Sequence, residues 1–207
     1  MKNKDSVALI KRIKTMADTG LLYAENEFDR ERYEELLSIS HELMSTVSGM
    51  PLEKLENFYL PIEDYPTPKV DVRGLVFNEK GELLMAQEQS DHRWALPGGW
   101  CDIGFTPSEV IEKEIQEETG LEAKAIRLLA VYDKKCHPHP PEAFYVYKFN
   151  FLCEILGGEL KKGHDMLDVG FFSLNDLPPL SENRNLESQI QQLCELARNP
   201  SSQTHFD

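Results

Sequence analysis

Residues 98–121, GGWCDIGFTPSEVIEKEIQEETGL, hold the decisive pattern in this chain. Pro107 opens and Gly120 closes a segment that reads as one helix, because proline suits a first helical turn and glycine a C-cap. Within it Glu112, Glu114, Glu117 and Glu118 occupy four of seven consecutive positions, where like charges three and four apart repel. At about 100° per residue, Glu114, Glu117 and Glu118 fall within roughly one quadrant of the helix and Glu112 faces nearly the opposite way. Most acidic runs are solvated helix faces, and that reading stands beside a sharper one. Ile111 and Ile115 flank the three glutamates, so these border the apolar stripe. Carboxylates brought together there need a cation, and oxygen-only donors select a hard ion, Mg2+ or Mn2+.

Outward from this helix, the sequence changes character once. In YLPIEDYPTPKV, residues 59–70, three prolines within eight residues place a linker between an N-terminal unit, 1–62, and a larger domain, 66–207. The first unit reads as two helices. Leu9, Ile10, Ile13, Met16, Ala17 and Leu21 form one apolar stripe, with Gly20 read as a cap. Tyr33, Leu36, Leu37, Ser40, Leu43, Met44 and Val47 form a second, ending at Gly49. Two helices cannot bury both stripes alone, so the unit either packs on the rest of the chain or makes a homodimer.

After the linker the period switches from 3.6 to 2. VDVRGLVFN and ELLMAQEQ read as a hairpin around Glu79-Lys80-Gly81, AKAIRLLAVYDKK and FYVYKFNFLCEI as two more strands, and residues 185–197 as a last helix. The fold class is α+β, or a layered α/β/α sandwich with a mixed sheet, behind a small all-α domain.

Composition narrows the function. The chain has 207 residues, 41% of them apolar, enough for a well-buried core. Thirty-six acidic against 22 basic residues give a formal charge of -14, which disfavours a non-specific nucleic-acid binder. Four scattered cysteines without a CxxC pair favour a cytoplasmic setting, and no apolar run approaches membrane-spanning length.

The stretch from Gly98 to Leu121 resembles the Nudix box, with Gly99, Glu114, Ile115, Glu117, Glu118, Gly120 and Leu121 matching position by position. TPKVDVRGLVF, RWALPGGW, HPHPP and VGFFSLNDLPPLS extend the likeness to a bacterial Nudix subgroup with an N-terminal helical domain. The resemblance implies metal-dependent hydrolysis of a nucleoside diphosphate linked to another moiety. CDP-choline, cut to CMP and phosphocholine, leads, with ADP-ribose as the alternative, RNA as a secondary substrate, and a non-catalytic nucleotide sensor as a further class. Glu114, Glu117, Glu118 and the Gly98 carbonyl would hold Mg2+ or Mn2+. Glu117, Glu118 or Asp165, in KKGHDMLDVGFF, would take the proton from the attacking water. Asp165 also reads as a turn aspartate. Phe105 and Lys113 depart from the family pattern of glutamate and arginine, and arginine's forked pairing makes the two changes a linked pair.

Other residues leave two readings open. Arg73 is a phosphate contact or a snorkelling strand residue. Trp100, like Trp94, stacks on a base or packs in the core. His137 and His139 wall the substrate pocket or sit in an exposed proline-stiffened loop, and with Cys136 they lack a fourth zinc ligand.

Overall fold

The computed structural model describes residues 3–58, 65–102 and 104–207, so the expected linker boundary at Ile62 lies outside the described residues. The chain divides into two compact units: residues 1–68 with 141–144, and residues 69–140 with 145–207.

The first unit is helical: α1 Asn3–Tyr23, α2 Glu27–Ser48 and α3 Leu52–Phe58. Asn26 caps α2 by accepting the Asp29 N–H at 2.9 Å, and Gly49 ends it in the left-handed region. Gly20 is not the cap its position implied. It lies inside α1, where a Cβ would stand 2.3 Å from the Tyr33 ring, so a close helix crossing explains it. The second stripe also divides. Ser40, Met44 and Val47 face inward with Val7, Ile10 and Leu55, whereas Leu36 and Leu43, with Ile39 beside them, remain about 40% exposed.

The second unit holds two sheets. In one, β1 Lys69–Val76 runs parallel to β5 Val146–Gly158, which pairs antiparallel with β4 Leu121–Asp133; the short β7 His205–Phe206 closes the far edge. The other joins β3 Trp94–Ala95, β2 Leu83–Glu88 and β6 Met166–Phe172. The expected hairpin is therefore a turn without a ladder. Gly81 adopts φ 76° and Asn78 accepts its N–H, but only one bridge, Phe77 with Leu83, follows before β1 and β2 enter different sheets.

Alternation along β1 builds three layers. Val72 and Val76 face α4, Pro107–Thr119, with Ile111 and Ile115; Gly74 has no room for a Cβ, which would lie 2.9 Å from Ile115. Leu75, Leu129 and Tyr132 face the opposite way, onto Ile190 and Leu193 of α5, Glu187–Arg198. This is the expected α+β sandwich with a mixed sheet. Among the described residues no helix is long and apolar enough to cross a membrane.

Candidate active site

Helix α4 starts and stops where its sequence dictates. Thr106 and Glu109 form a reciprocal capping box, Pro107 takes the first turn, and Gly120 at φ 73° returns its N–H to the Gln116 carbonyl. The loop before it lies on β1: Val72 N–H donates to the Gly99 carbonyl at 2.8 Å and Gly74 N–H to the Pro97 carbonyl at 2.9 Å. Gly98 is obligatory there, since its φ is 141° and a Cβ would meet the Val72 carbonyl oxygen at 2.0 Å.

The three glutamates differ sharply in environment. Glu118 is 6% exposed, and its Oε2 accepts the Gly98 N–H at 3.0 Å. Burial pushes its carboxyl up to about 8; Arg73 and the Gly98 N–H oppose the shift without cancelling it. Glu114 is half-buried beside Gly99, where an added Cβ would lie 3.1 Å from the carboxylate, and burial and then Glu117 raise its pKa. Glu117 faces solvent with Lys113 Nζ at 3.7 Å. Held apart in this way, the side chains do not form a ready cluster: among the described residues, no three His, Cys, Asp or Glu are drawn together closely enough to share a metal ion.

The two departures from the box pattern touch each other. Lys113 Nζ lies 5.9 Å from the Phe105 ring centroid and 3.8 Å from Asp102, so a cation over an aromatic face stands where the family pattern has two charged residues.

Asp165 occupies an exposed turn between β5 and β6, with His164 Nδ1 3.7 Å away. Gly163 N–H donates to the Glu118 carbonyl at 2.9 Å, which lays this turn on the last turn of α4. Asp168 is exposed and accepts the Val169 N–H.

Three expected substrate contacts are drawn inward. Arg73 neither reaches solvent nor snorkels at an edge. Its guanidinium donates to Asp71 at 2.7 Å and to the Leu96 carbonyl at 3.1 Å, and burial and Asp71 dominate its surroundings. His139 is buried with Nδ1 2.6 Å from the Glu182 carbonyl, and burial lowers its pKa to about 4, so it is neutral. His137 holds Asp207 at 2.9 Å and meets Tyr132 edge-on. Both imidazoles thus anchor their loop to the domain body. Trp100 behaves differently from Trp94: it is 48% exposed with Lys69 Nζ 5.3 Å from its ring, while Trp94 packs on Phe172.

Sequence reasoning missed two residues near this site. Glu88 ends β2, buried, and burial raises its pKa against the pull of Arg184, whose Nε lies 2.6 Å away. No local motif marks either one; only the 95 residues of intervening chain, folded back, bring them together.

Residues 67–193 match the family model described as the NUDIX domain, and residues 4–59 match one described as a UDP-X-like, N-terminal oligomerisation domain. The chain belongs to the Nudix family. A Bacillus subtilis (strain 168) protein, provisionally named an ADP-ribose pyrophosphatase, is 41% identical over 196 residues, 95% of this chain and 94% of that protein. An ADP-ribose pyrophosphatase of Methanocaldococcus jannaschii is 37% identical over 119 residues, 56% of this chain and 69% of its own. Among solved structures, a UDP-X diphosphatase superposes over 100% of both chains with TM-score 0.64 and 35% identity. An ADP-ribose pyrophosphatase from Streptococcus suis covers 68% of this chain and 100% of its own, with TM-score 0.62 and 40% identity. This Nudix chain is accordingly a pyrophosphohydrolase, and α4 is its Nudix helix.

Proposed function

We propose that this Nudix pyrophosphohydrolase cleaves the diphosphate bond of a nucleoside diphosphate joined to a second moiety, with ADP-ribose as the leading substrate. The relatives named for ADP-ribose move it ahead of CDP-choline, which the sequence resemblance had placed first. UDP-linked compounds enter through the full-length likeness to a UDP-X diphosphatase. A charge of -14 weighs against RNA.

The observation that carries the chemistry is the buried carboxyl of Glu118, raised to about 8 beside half-buried Glu114. Such an excess of buried acid fits a divalent cation. Glu114, Glu117, Glu118 and the Gly98 carbonyl would hold Mg2+ or Mn2+. Such an ion, when bound, would supply positive charge against the diphosphate and lower the pKa of a water. The chain's own residues do the rest. The Gly98 N–H fixes one oxygen of Glu118 and so sets the orientation of its carboxylate. Asp165, exposed on a turn seated against α4, takes the proton of the attacking water. The open face of Trp100 stacks on the base. Arg73 supports the site from beneath through its charge, and His137 and His139 hold the proline loop without touching substrate.

Incubation with ADP-ribose, CDP-choline, UDP-glucose and a short RNA, each with Mg2+ or Mn2+, tests this, with Glu117→Gln as the control. Release of AMP and ribose 5-phosphate, absent from the control, is expected. Exclusive cleavage of CDP-choline would restore the other assignment, and no cleavage of any substrate would make the chain a nucleotide sensor. Asp165→Asn is expected to lower kcat by about 10²–10⁴-fold, the usual worth of a proton-transfer group; turnover within a few-fold of wild type removes Asp165 from the mechanism.

The helical residues 1–62 are proposed as a separate domain ahead of the catalytic 66–207, serving a homodimer. Exposed Leu36, Ile39 and Leu43 supply an apolar surface for that contact. Leu43→Glu is expected to give monomers in analytical sedimentation, and an unchanged dimer would place the interface elsewhere. The four free cysteines fit a reducing cytoplasm.

A further inference from the structure

Arg184 lies outside the Nudix box, on the turn that leads into α5, and all three of its guanidinium nitrogens are engaged. Nε stands 2.6 Å from Glu88 Oε1, Nη1 donates to Ser181 Oγ at 3.1 Å, and Nη2 donates to Ser90 Oγ at 3.1 Å. Asp91 lies 3.7 Å from Nη1 and accepts the Ser181 hydroxyl at 2.6 Å. This much order fixes a planar cation in one orientation, so Arg184 cannot swing out to a phosphate without breaking four contacts.

Glu88 lies within electrostatic reach of Glu118, Asp165 and Arg73. The next residue, Gln89, donates through Nε2 to the His164 carbonyl at 2.9 Å, and Gly163 N–H reaches the Glu118 carbonyl. The end of β2, the Asp165 turn and the end of α4 are therefore tied together around one patch of carboxylates. Glu88 is held there by a close guanidinium, with Arg184 Nε at 2.6 Å.

The charge arithmetic gives this pairing a role. An unpaired Glu88 would add a negative charge beside Glu118 and repel a diphosphate. An unpaired Arg184 would add a positive charge and compete with a divalent ion. We propose that Glu88 and Arg184 are positioning residues for the Nudix reaction: Glu88 is a further acid at the end of β2, tied through Gln89 to the turn that seats on the end of α4, and Arg184 fixes its direction and balances its charge. The proposal rests on the reading that Glu114, Glu117 and Glu118 hold a divalent cation.

A charge-neutralising double-mutant cycle separates this role from plain packing. Mn2+ binding is measured by calorimetry without substrate, and KM for ADP-ribose by steady-state kinetics, in Glu88→Gln, Arg184→Gln and the double variant. Glu88→Gln is expected to weaken Mn2+ binding about tenfold, the scale of one charge acting through an effective dielectric near 20. Arg184→Gln is expected to raise KM by about tenfold without weakening Mn2+ binding, again on the scale of one unit charge. The double variant, neutral again, should return both quantities to within about threefold of wild type if the coupling is pairwise. Arg184→Lys keeps the charge, is milder on folding, and should leave Mn2+ affinity unchanged. Additive losses in the double variant, or a Mn2+ affinity in Arg184→Lys altered as strongly as in Glu88→Gln, would overturn the proposal. A wild-type protein that binds no Mn2+ overturns the metal reading and this proposal together, whereas Mn2+ binding that ignores both single changes overturns this proposal alone.

Discussion

Glu118→Gln should sharply slow hydrolysis and, in the same protein, raise the stability of the metal-free state at alkaline pH. The two effects share one cause. In the metal-free protein Glu118 is buried with a carboxyl raised from 4.5 to about 8. Between those values the native state keeps a proton that the unfolded chain releases, so the native state binds more protons and stability falls as pH rises. At about 1.36 kcal/mol per unit, the loss from pH 4.5 to 8 is of order a few kcal/mol. Glutamine is a near-isostere that never ionises, so it removes that slope. Its amide can still offer the carbonyl oxygen that accepts the Gly98 N–H. Catalysis fares oppositely, because an amide cannot supply the charge that a divalent ion requires; a loss of about 10²–10³-fold in kcat is expected, comparable with removal of one preorganised electrostatic contact. Thermal melts with EDTA at pH 5.5, 7 and 8.5 check the first half. The wild-type midpoint should fall across the series and the variant's should not. Adding Mg2+ at pH 8.5 should raise the wild-type midpoint by ligand linkage and leave the variant unmoved. A wild-type midpoint that is flat with pH, or a variant that still responds to Mg2+, would show that Glu118 neither titrates in this range nor holds the ion.

What the sequence made legible, and what it hid, follows from the range of the forces involved. Helix α4 runs from Pro107 to Thr119 with Gly120 beyond it, as expected, because its ends are set by contacts three and four residues away: Thr106 with Glu109, and Gly120 with Gln116. The strands were visible as period-2 runs for the same local reason. Their pairing was not. The Glu79-Lys80-Gly81 turn forms, yet β1 is buried along six successive residues, which suits a central strand beside β5 better than a hairpin edge. Side-chain direction at the site was equally out of reach. His139 turns in because the Glu182 carbonyl, 43 residues away, receives its Nδ1, and His137 because Asp207, 70 residues away, meets its Nε2. The glutamates of the box announced themselves through spacing, whereas Glu88 and Arg184 carry no spacing signal and are defined only by the folded chain.

Asp71→Asn should be among the most destabilising single substitutions in the catalytic domain, at about 3–5 kcal/mol, the cost of breaking a buried ion pair by removing one partner. Asp71 sits between two buried cations: Arg73 donates to Oδ2 at 2.7 Å and Lys148 donates to Oδ1 at 2.5 Å. Burial by itself would raise the Asp71 carboxyl, but Arg73 and Lys148 outweigh it and bring the pKa down to about 2. On Lys148 burial wins instead, lowering it to about 8 although Asp71 resists the shift. An asparagine at 71 thus leaves two positive charges in the interior with no anion between them. Partial repair should follow from Lys148→Met, which fills the space of the lysine stem without a charge, so the Asp71→Asn/Lys148→Met double variant is expected to be more stable than Asp71→Asn. Urea denaturation at pH 7 measures both. The pH dependence supplies an independent check. A carboxylate held at about 2 against 3.8 contributes stability that is complete above pH 4 and disappears as the pH falls through 2, roughly 2 kcal/mol in order of magnitude. In Asp71→Asn this acid-side loss should be smaller by that amount. A cost below about 1 kcal/mol would mean that Arg73 and Lys148 find other anions or shed their charge, and one anion lies within reach. Arg73 is already attracted by Glu118. Freed from Asp71, its guanidinium would draw the Glu118 carboxyl toward the ionised form. The variant would then show a flatter loss of metal-free stability between pH 5.5 and 8.5, which couples the ion pairs of β1 and β5 to the acid that the reaction needs.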